Sequence, residues 1–190
     1  DLTRVAAIEF SITAGTGGKG TVWIDELQLR PREPDRPYAL IPAITTTSET
    51  AGFEARRAVD GDTTTLWRSS AAAVPTAPVP PAPKGAPPPV ALPPNARQAV
   101  QVDFLQTREF GGLEVEWEPG HRASDYTVDF SPDGRTWETR YRVAGGNGGR
   151  DYIYLPESDT RFVRLALERG PSDTFGLREI TVEPLTWSAS

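Results

Sequence analysis

Apolar and polar residues alternate with a period of two in run after run of this chain, and almost nowhere at helical spacing. Val100, Val102 and Phe104 alternate with Gln101 and Asp103, and Leu113, Val115 and Trp117 with Glu114, Glu116 and Glu118. The pattern returns at Tyr126, Val128 and Phe130, at Val163, Leu165 and Leu167, and at Ile180 and Val182. Successive side chains of a strand point to opposite faces, so each run predicts a strand with one face in a core and one toward water. Turn residues punctuate the runs: Gly111-Gly112, Pro119-Gly120, Asp133-Gly134, Gly145 to Gly149 and Gly170-Pro171. Several short strands without helical crossovers predict an all-β fold, an antiparallel sandwich or barrel.

Two segments interrupt the alternation. Arg30 to Pro37 is charged and proline-rich, as interdomain linkers are. Ala71 to Ala96 is mostly Ala and Pro, a composition that favours polyproline II and offers little apolar surface to bury. Ahead of the first segment, Ile8, Phe10 and Ile12 alternate, glycines follow, and Thr21 to Leu29 reads as a second strand. A lone hairpin is marginal in water, so residues 1–30 are expected to be the end of a preceding β-sandwich domain. The expected organisation is then a linker at 31–43, a sandwich at 44–184 with a disordered insertion at 71–96, and a tail at 185–190 toward a following region.

Composition narrows the function classes. The chain has no cysteine, which excludes disulfides and thiolate metal sites. A net charge of -6, with scattered arginines and only Lys19 and Lys84 besides, argues against nucleic acid and anionic membrane as partners. No apolar run approaches the roughly 18 residues that cross a bilayer. The first residue is Asp1, without a start Met or signal peptide, as in a processed piece of a longer protein.

Four stretches carry a family resemblance. They are ARRAVDGDTTTLWRSS from Ala55, YTVDFSPDGRTWE from Tyr126, RFVRLAL from Arg161 and GLREITV from Gly176. In this order they resemble the discoidin, or coagulation-factor C-type, family and its bacterial relatives among family-32 carbohydrate-binding modules. The resemblance covers residues 44–184 apart from the Pro/Ala stretch. It implies an antiparallel jelly-roll β-sandwich of galactose-binding-like type, and a binding module rather than an enzyme. Gly18 to Leu29 is similar to the last strand of jelly-roll domains in carbohydrate-active enzymes. Together these imply a multidomain secreted protein, extracellular or periplasmic, whose partner is a galactose-like or related glycan. The chain is expected to be a monomer within that larger protein.

Individual residues fit this frame. Asp133-Gly134 is a tight-turn signal because glycine supplies positive φ, and Trp137 is expected to pack into the core. Asp60 to Thr65 is rich in oxygen, and Gly61 permits a sharp bend, which suits a hard cation with oxygen ligands. By the resemblance this stretch binds a structural calcium. Asp60, Thr65 and Glu179 would give side-chain oxygens, and Arg57 and Asp62 carbonyls. The alternative is a capped polar turn without an ion. Sugar sites combine an aromatic ring with planar polar groups. The loop candidates are Phe53, His121, Arg122, Asn147, Arg150 and Phe175.

Catalysis would need a nucleophile, a metal or paired carboxylates in a cleft. Glu114, Glu116 and Glu118 lie roughly 6–7 Å apart along one strand. They share a single outer face, whereas a glycosidase pair flanks the bond from opposite sides. An architectural spacer or protein-adhesion domain remains the alternative to sugar binding, and exposure of Phe53 and Phe175 separates the two.

Overall fold

The computed structural model describes residues 42–71 and 92–188. The expected hairpin at 1–30, the linker as far as residue 41 and most of the Pro/Ala stretch lie outside the described residues. Among the described residues seven strands run in chain order: β1 Ala43–Thr46, β2 Trp67–Arg68, β3 Gln98–Trp117, β4 Asp125–Ser131, β5 Glu138–Val143, β6 Arg150–Arg169 and β7 Gly176–Glu183. Short 3-10 helices stand at Ala55–Ala58 and Leu185–Ser188. Every pairing is antiparallel, in the order β2-β7-β3-β6-β4-β5, with β1 on β3. No helix among the described residues is long and apolar enough to cross a membrane.

The two 20-residue strands belong to both layers of the sandwich. The first part of β3 pairs with β1 and with the end of β6, as in Val102 with Val163. Its last part pairs with the start of β6 and with β7, as in Leu113 with Ile153 and Val182. One layer is therefore β1-β3-β6-β4-β5 and the other β6-β3-β7-β2. Between the two parts the register breaks from Asp103 to Arg108 and again at Phe110–Gly112. Leu105 takes a left-handed φ of 66° at this corner, and its N–H donates to Asp103 Oδ1 at 2.7 Å.

The alternation seen in the sequence maps onto the layers. Val100, Val102, Leu113, Val115, Trp117, Val128, Val163, Leu165 and Leu167 are all buried in one core. Phe110 stands edge-on to Phe104 and Phe130, at 5.7 and 5.4 Å. Trp67 is fully buried and its Nε1 donates to the Ser48 carbonyl, which fixes the segment after β1 against β2. Asp151 points inward, where it accepts hydrogen bonds from Trp117 Nε1 and the Tyr126 hydroxyl.

Two expectations need correction. Gly111-Gly112 is not a turn but lies inside β3. A Cβ on Gly112 would fall within the Trp187 ring, and one on Gly111 against the Pro184 carbonyl, so these glycines admit the C-terminal 3-10 helix. Trp137 does not enter the core either. It is half-buried, edge-on to Phe162 at 6.5 Å and under the Arg164 guanidinium at 4.1 Å. Period two explains why: Phe162 and Arg164 face away from Val163 and Leu165. Asp133-Gly134 does form the turn, with Gly134 at φ 72° and its N–H donated to Ser131 Oγ.

Candidate functional site

Strand ends gather residues 47–54, 69–71, 92–97, 118–124, 144–149 and 170–175 at one end of the sandwich. Backbone bonds tie the described parts together: Arg68 N donates to the Phe53 carbonyl, Ser69 N to Phe175, Glu118 N to Gly176 and Gly176 N to His121. The Phe53 loop is itself held by carboxylates. Glu49 accepts from Ala55 N, and Glu54 from Gly52 N and Arg57 Nε.

These ties bring Phe53, Arg68, Glu118, His121 and Thr174 to one place. Arg68 and Glu118 form a two-pronged ion pair, with Nε 2.9 Å from Oε2 and Nη2 on Oε1. That hydrogen bonding raises the Arg68 pKa above its already high ordinary value. The guanidinium also lies 4.6 Å above the Phe53 ring. His121 Nδ1 is 2.7 Å from Thr174 Oγ1. The result is an aromatic ring under a fixed fork of donors, beside a carboxylate, an imidazole and a hydroxyl. Such planar groups suit polyhydroxylated ligands.

The other expected sugar residues are placed differently. Arg122 folds over Gly148 and donates from Nε to the Gly146 carbonyl, bracing the loop that carries exposed Asn147. Arg150 lies on the outer sheet face, paired with Glu114 and Glu116 at 2.9 and 2.7 Å. Phe175 is fully buried, with the Arg97 guanidinium 5.4 Å from its ring, and offers no face to solvent. The three glutamates of the β3 row are thus all ion-paired. Arg68 and Thr174 escaped the sequence reading. Nothing local marks them, since Arg68 meets Glu118 across 50 residues.

The second candidate cluster lies between Ala55–Ala58 and β7. Thr65 Oγ1 is 2.9 Å from Asp60 Oδ2, 3.1 Å from the Asp62 carbonyl and 3.4 Å from the Arg57 carbonyl. One hydroxyl hydrogen cannot serve three acceptors. The Asp62 carboxylate turns away to Thr64, whose hydroxyl and N–H hold its pKa below the ordinary range. Glu179 faces the cluster from β7 and accepts from Gly61 N at 3.1 Å. Burial, and then the charge of Asp60, push the Glu179 pKa up to about 7. No group of three His, Cys, Asp or Glu able to hold a metal occurs among the described residues. A cation here would depend on carbonyl and hydroxyl oxygens as well as carboxylates, a donor set that fits a hard ion.

None of the curated proteins matches this chain significantly. Among solved structures, chitosan-binding module 2 of a Paenibacillus sp. IK-5 chitosanase/glucanase, in complex with chitotriose, is 26% identical. The match covers 77% of this chain and 98% of that one, with a TM-score of 0.60. Module 1 of the same enzyme is 29% identical over 76% and 96% of the two chains, with a TM-score of 0.59. The family 32 module of Clostridium perfringens NanJ, in complex with galactose, shares the fold at 14% identity, covering 77% and 95%, with a TM-score of 0.58. The profile of the F5/8 type C domain matches residues 43–180, from β1 into β7, and this chain belongs to that family.

Proposed function

We propose that this chain is a non-catalytic carbohydrate-binding module of a multidomain secreted carbohydrate-active protein. The observation that carries the reading is the convergence of Phe53, Arg68, Glu118, His121 and Thr174 at one end of the sandwich. The two Paenibacillus modules, both above a quarter identity, are named for chitosan. An amino sugar has an ammonium for the Glu118 carboxylate and hydroxyls for the Arg68 fork, so oligomers of glucosamine are the first ligands to test, with galactose second. Affinity should be roughly micromolar to millimolar, because an open site buries few ligand atoms. Calorimetry with chitotriose and galactose tests this, using Glu118→Gln as the site variant. Absence of heat with both sugars, or an unchanged affinity in the variant, would sink the proposed site.

One observation favours the spacer alternative. Phe175 is buried and Phe53 is covered by Arg68, so neither ring stands free in the loops. A protein that binds no saccharide yet holds its neighbouring domains at fixed separation in scattering measurements would support it.

The oxygen cluster is proposed to hold calcium. Arg57 and Asp62 would contribute carbonyls, Thr65 its hydroxyl, and Asp60 and Glu179 carboxylates. A bound divalent ion would supply charge that two acidic groups need at close range. Its role would be structural, joining the segment before β2 to β7.

A further inference from the structure

Among the described residues, the rings most exposed to water are on the outer face of the β6-β3-β7 layer, not among the loops. Tyr152 and Tyr154 are 53% and 55% exposed, ahead of Tyr141 on β5 at 40%. They stand two residues apart on β6 and so share one face. Register extends that face across the sheet. Tyr154 is level with Gly112 and Glu183, Tyr152 with Glu114 and Thr181, and Arg150 with Glu116 and Glu179. Trp187 seats its ring on Gly112, where any side chain would block it, and stacks with Tyr154 at 4.3 Å and 10°. Tyr152 is tilted 32° to the same indole at 6.4 Å. The face is thus a low aromatic shelf bordered by Glu114, Glu116 and Arg150.

We propose that this shelf is a second saccharide subsite, which holds further sugar residues of a polysaccharide chain. The inference rests on the saccharide-binding reading above but concerns a different surface. Flat rings left in water match the apolar faces of pyranoses, and the charged pair beside them offers planar donors and acceptors to ring hydroxyls. A contiguous aromatic patch on a protein surface signals a partner, and the glutamates and arginine along its border favour a polyhydroxylated one over an apolar protein segment. Occupying loops and shelf together would favour long chains over short ones, because the second contact becomes intramolecular.

The test compares a polymer with a trimer. Affinity electrophoresis in soluble chitosan, at salt that screens exposed charge, reads polymer binding. Calorimetry with chitotriose reads the loop site. Tyr152→Ala/Tyr154→Ala should leave chitotriose affinity within about twofold and weaken polymer binding by about tenfold or more, since each lost ring contact is worth severalfold. Tyr152→Phe/Tyr154→Phe, which keeps the rings, should retain most polymer binding and guards against a folding artefact. Unchanged polymer retention in the alanine variant overturns the inference. So does a change in light-scattering mass with retention unchanged, which would make the shelf a contact between copies of the chain. If the parent binds neither trimer nor polymer, the saccharide reading itself falls and takes the shelf with it. Loss of trimer binding in Glu118→Gln, with polymer retention still sensitive to the two tyrosines, supports both sites separately.

Discussion

Calcium should raise the thermal stability of this protein, and should do so far better at mildly alkaline than at acid pH. The perturbation is removal of divalent ions by chelator, followed by titration with calcium. An ion that binds only the folded state at about a hundred times its dissociation constant contributes ~2.7 kcal/mol, which for a chain of this size moves the midpoint by about 5–11 °C. The structure adds a pH condition. Glu179 titrates near 7 when folded and near its ordinary value when unfolded. Its folded pKa is raised, so without ion it favours the folded state below the unfolded pKa, and that contribution is lost as pH rises through 7. Calcium needs the carboxylate, so protons compete with it. At about pH 5.5 the competition weakens calcium roughly 30-fold relative to about pH 8, leaving only ~1 kcal/mol at the same concentration. Scanning calorimetry at both pH values, with and without calcium, reads this directly. Asp60→Ala should abolish the response, and Glu179→Gln should both weaken it and flatten its pH dependence. A calcium shift of equal size at both pH values would refute the role given to Glu179. No shift at either, with no metal found by elemental analysis, would reduce the cluster to a polar turn.

Three further outcomes are expected. Asp129→Ala removes the carboxylate that faces Arg164 in a pair 3% and 6% exposed, and should cost about 3–5 kcal/mol in chemical denaturation. Gly112→Ala puts a Cβ against both the Trp187 ring and the Ile153 carbonyl of β6, so Trp187 fluorescence should shift to the red, residues 185–188 become sensitive to protease, and the melting temperature fall below the parent's. Burial, reinforced by Asp151, raises the Tyr126 phenol far above its ordinary pKa. It stabilises the fold below about pH 10, and that stability drains away as pH rises further, so alkaline unfolding should coincide with ionisation of one late-titrating tyrosine.

What could be read beforehand follows from how local each determinant is. Alternation at Val100 to Phe104 and Leu113 to Trp117 is decided within a strand, and both runs proved to be strands with those faces inward. That the two form one bent β3 was not legible, because Gly111-Gly112 has the composition of a turn. Its true cause, the Trp187 ring, lies 75 residues downstream of Gly112. Trp137 misled for a similar reason. A tryptophan after a turn suggests a core, but Arg164 and Phe162 offer it an outer platform instead. Most of the oxygen cluster is one short stretch, Arg57 to Thr65, so its convergence could be anticipated from sequence. The loop site is assembled from four segments. Glu118 could be seen only as part of a glutamate row until Arg68 was found against it. The tyrosines of the shelf were not singled out in the sequence, because which face of β6 stays open depends on the strands it joins.

The pairing of the early strands has a consequence for synthesis. Ala43 finds its partner at Asp103, and Trp67 waits for Leu177. The β6-β3-β7-β2 layer cannot close until the last strand has been made, because β2 pairs with β7. At about 5–20 residues per second, the segment around Trp67 spends roughly 5–20 s without its partner. Such remote pairing also makes folding slow, on the order of milliseconds to seconds even for the finished chain. Residues 43–70, with the apolar Ile44 and Trp67 among them, are therefore where a nascent chain would most need shielding.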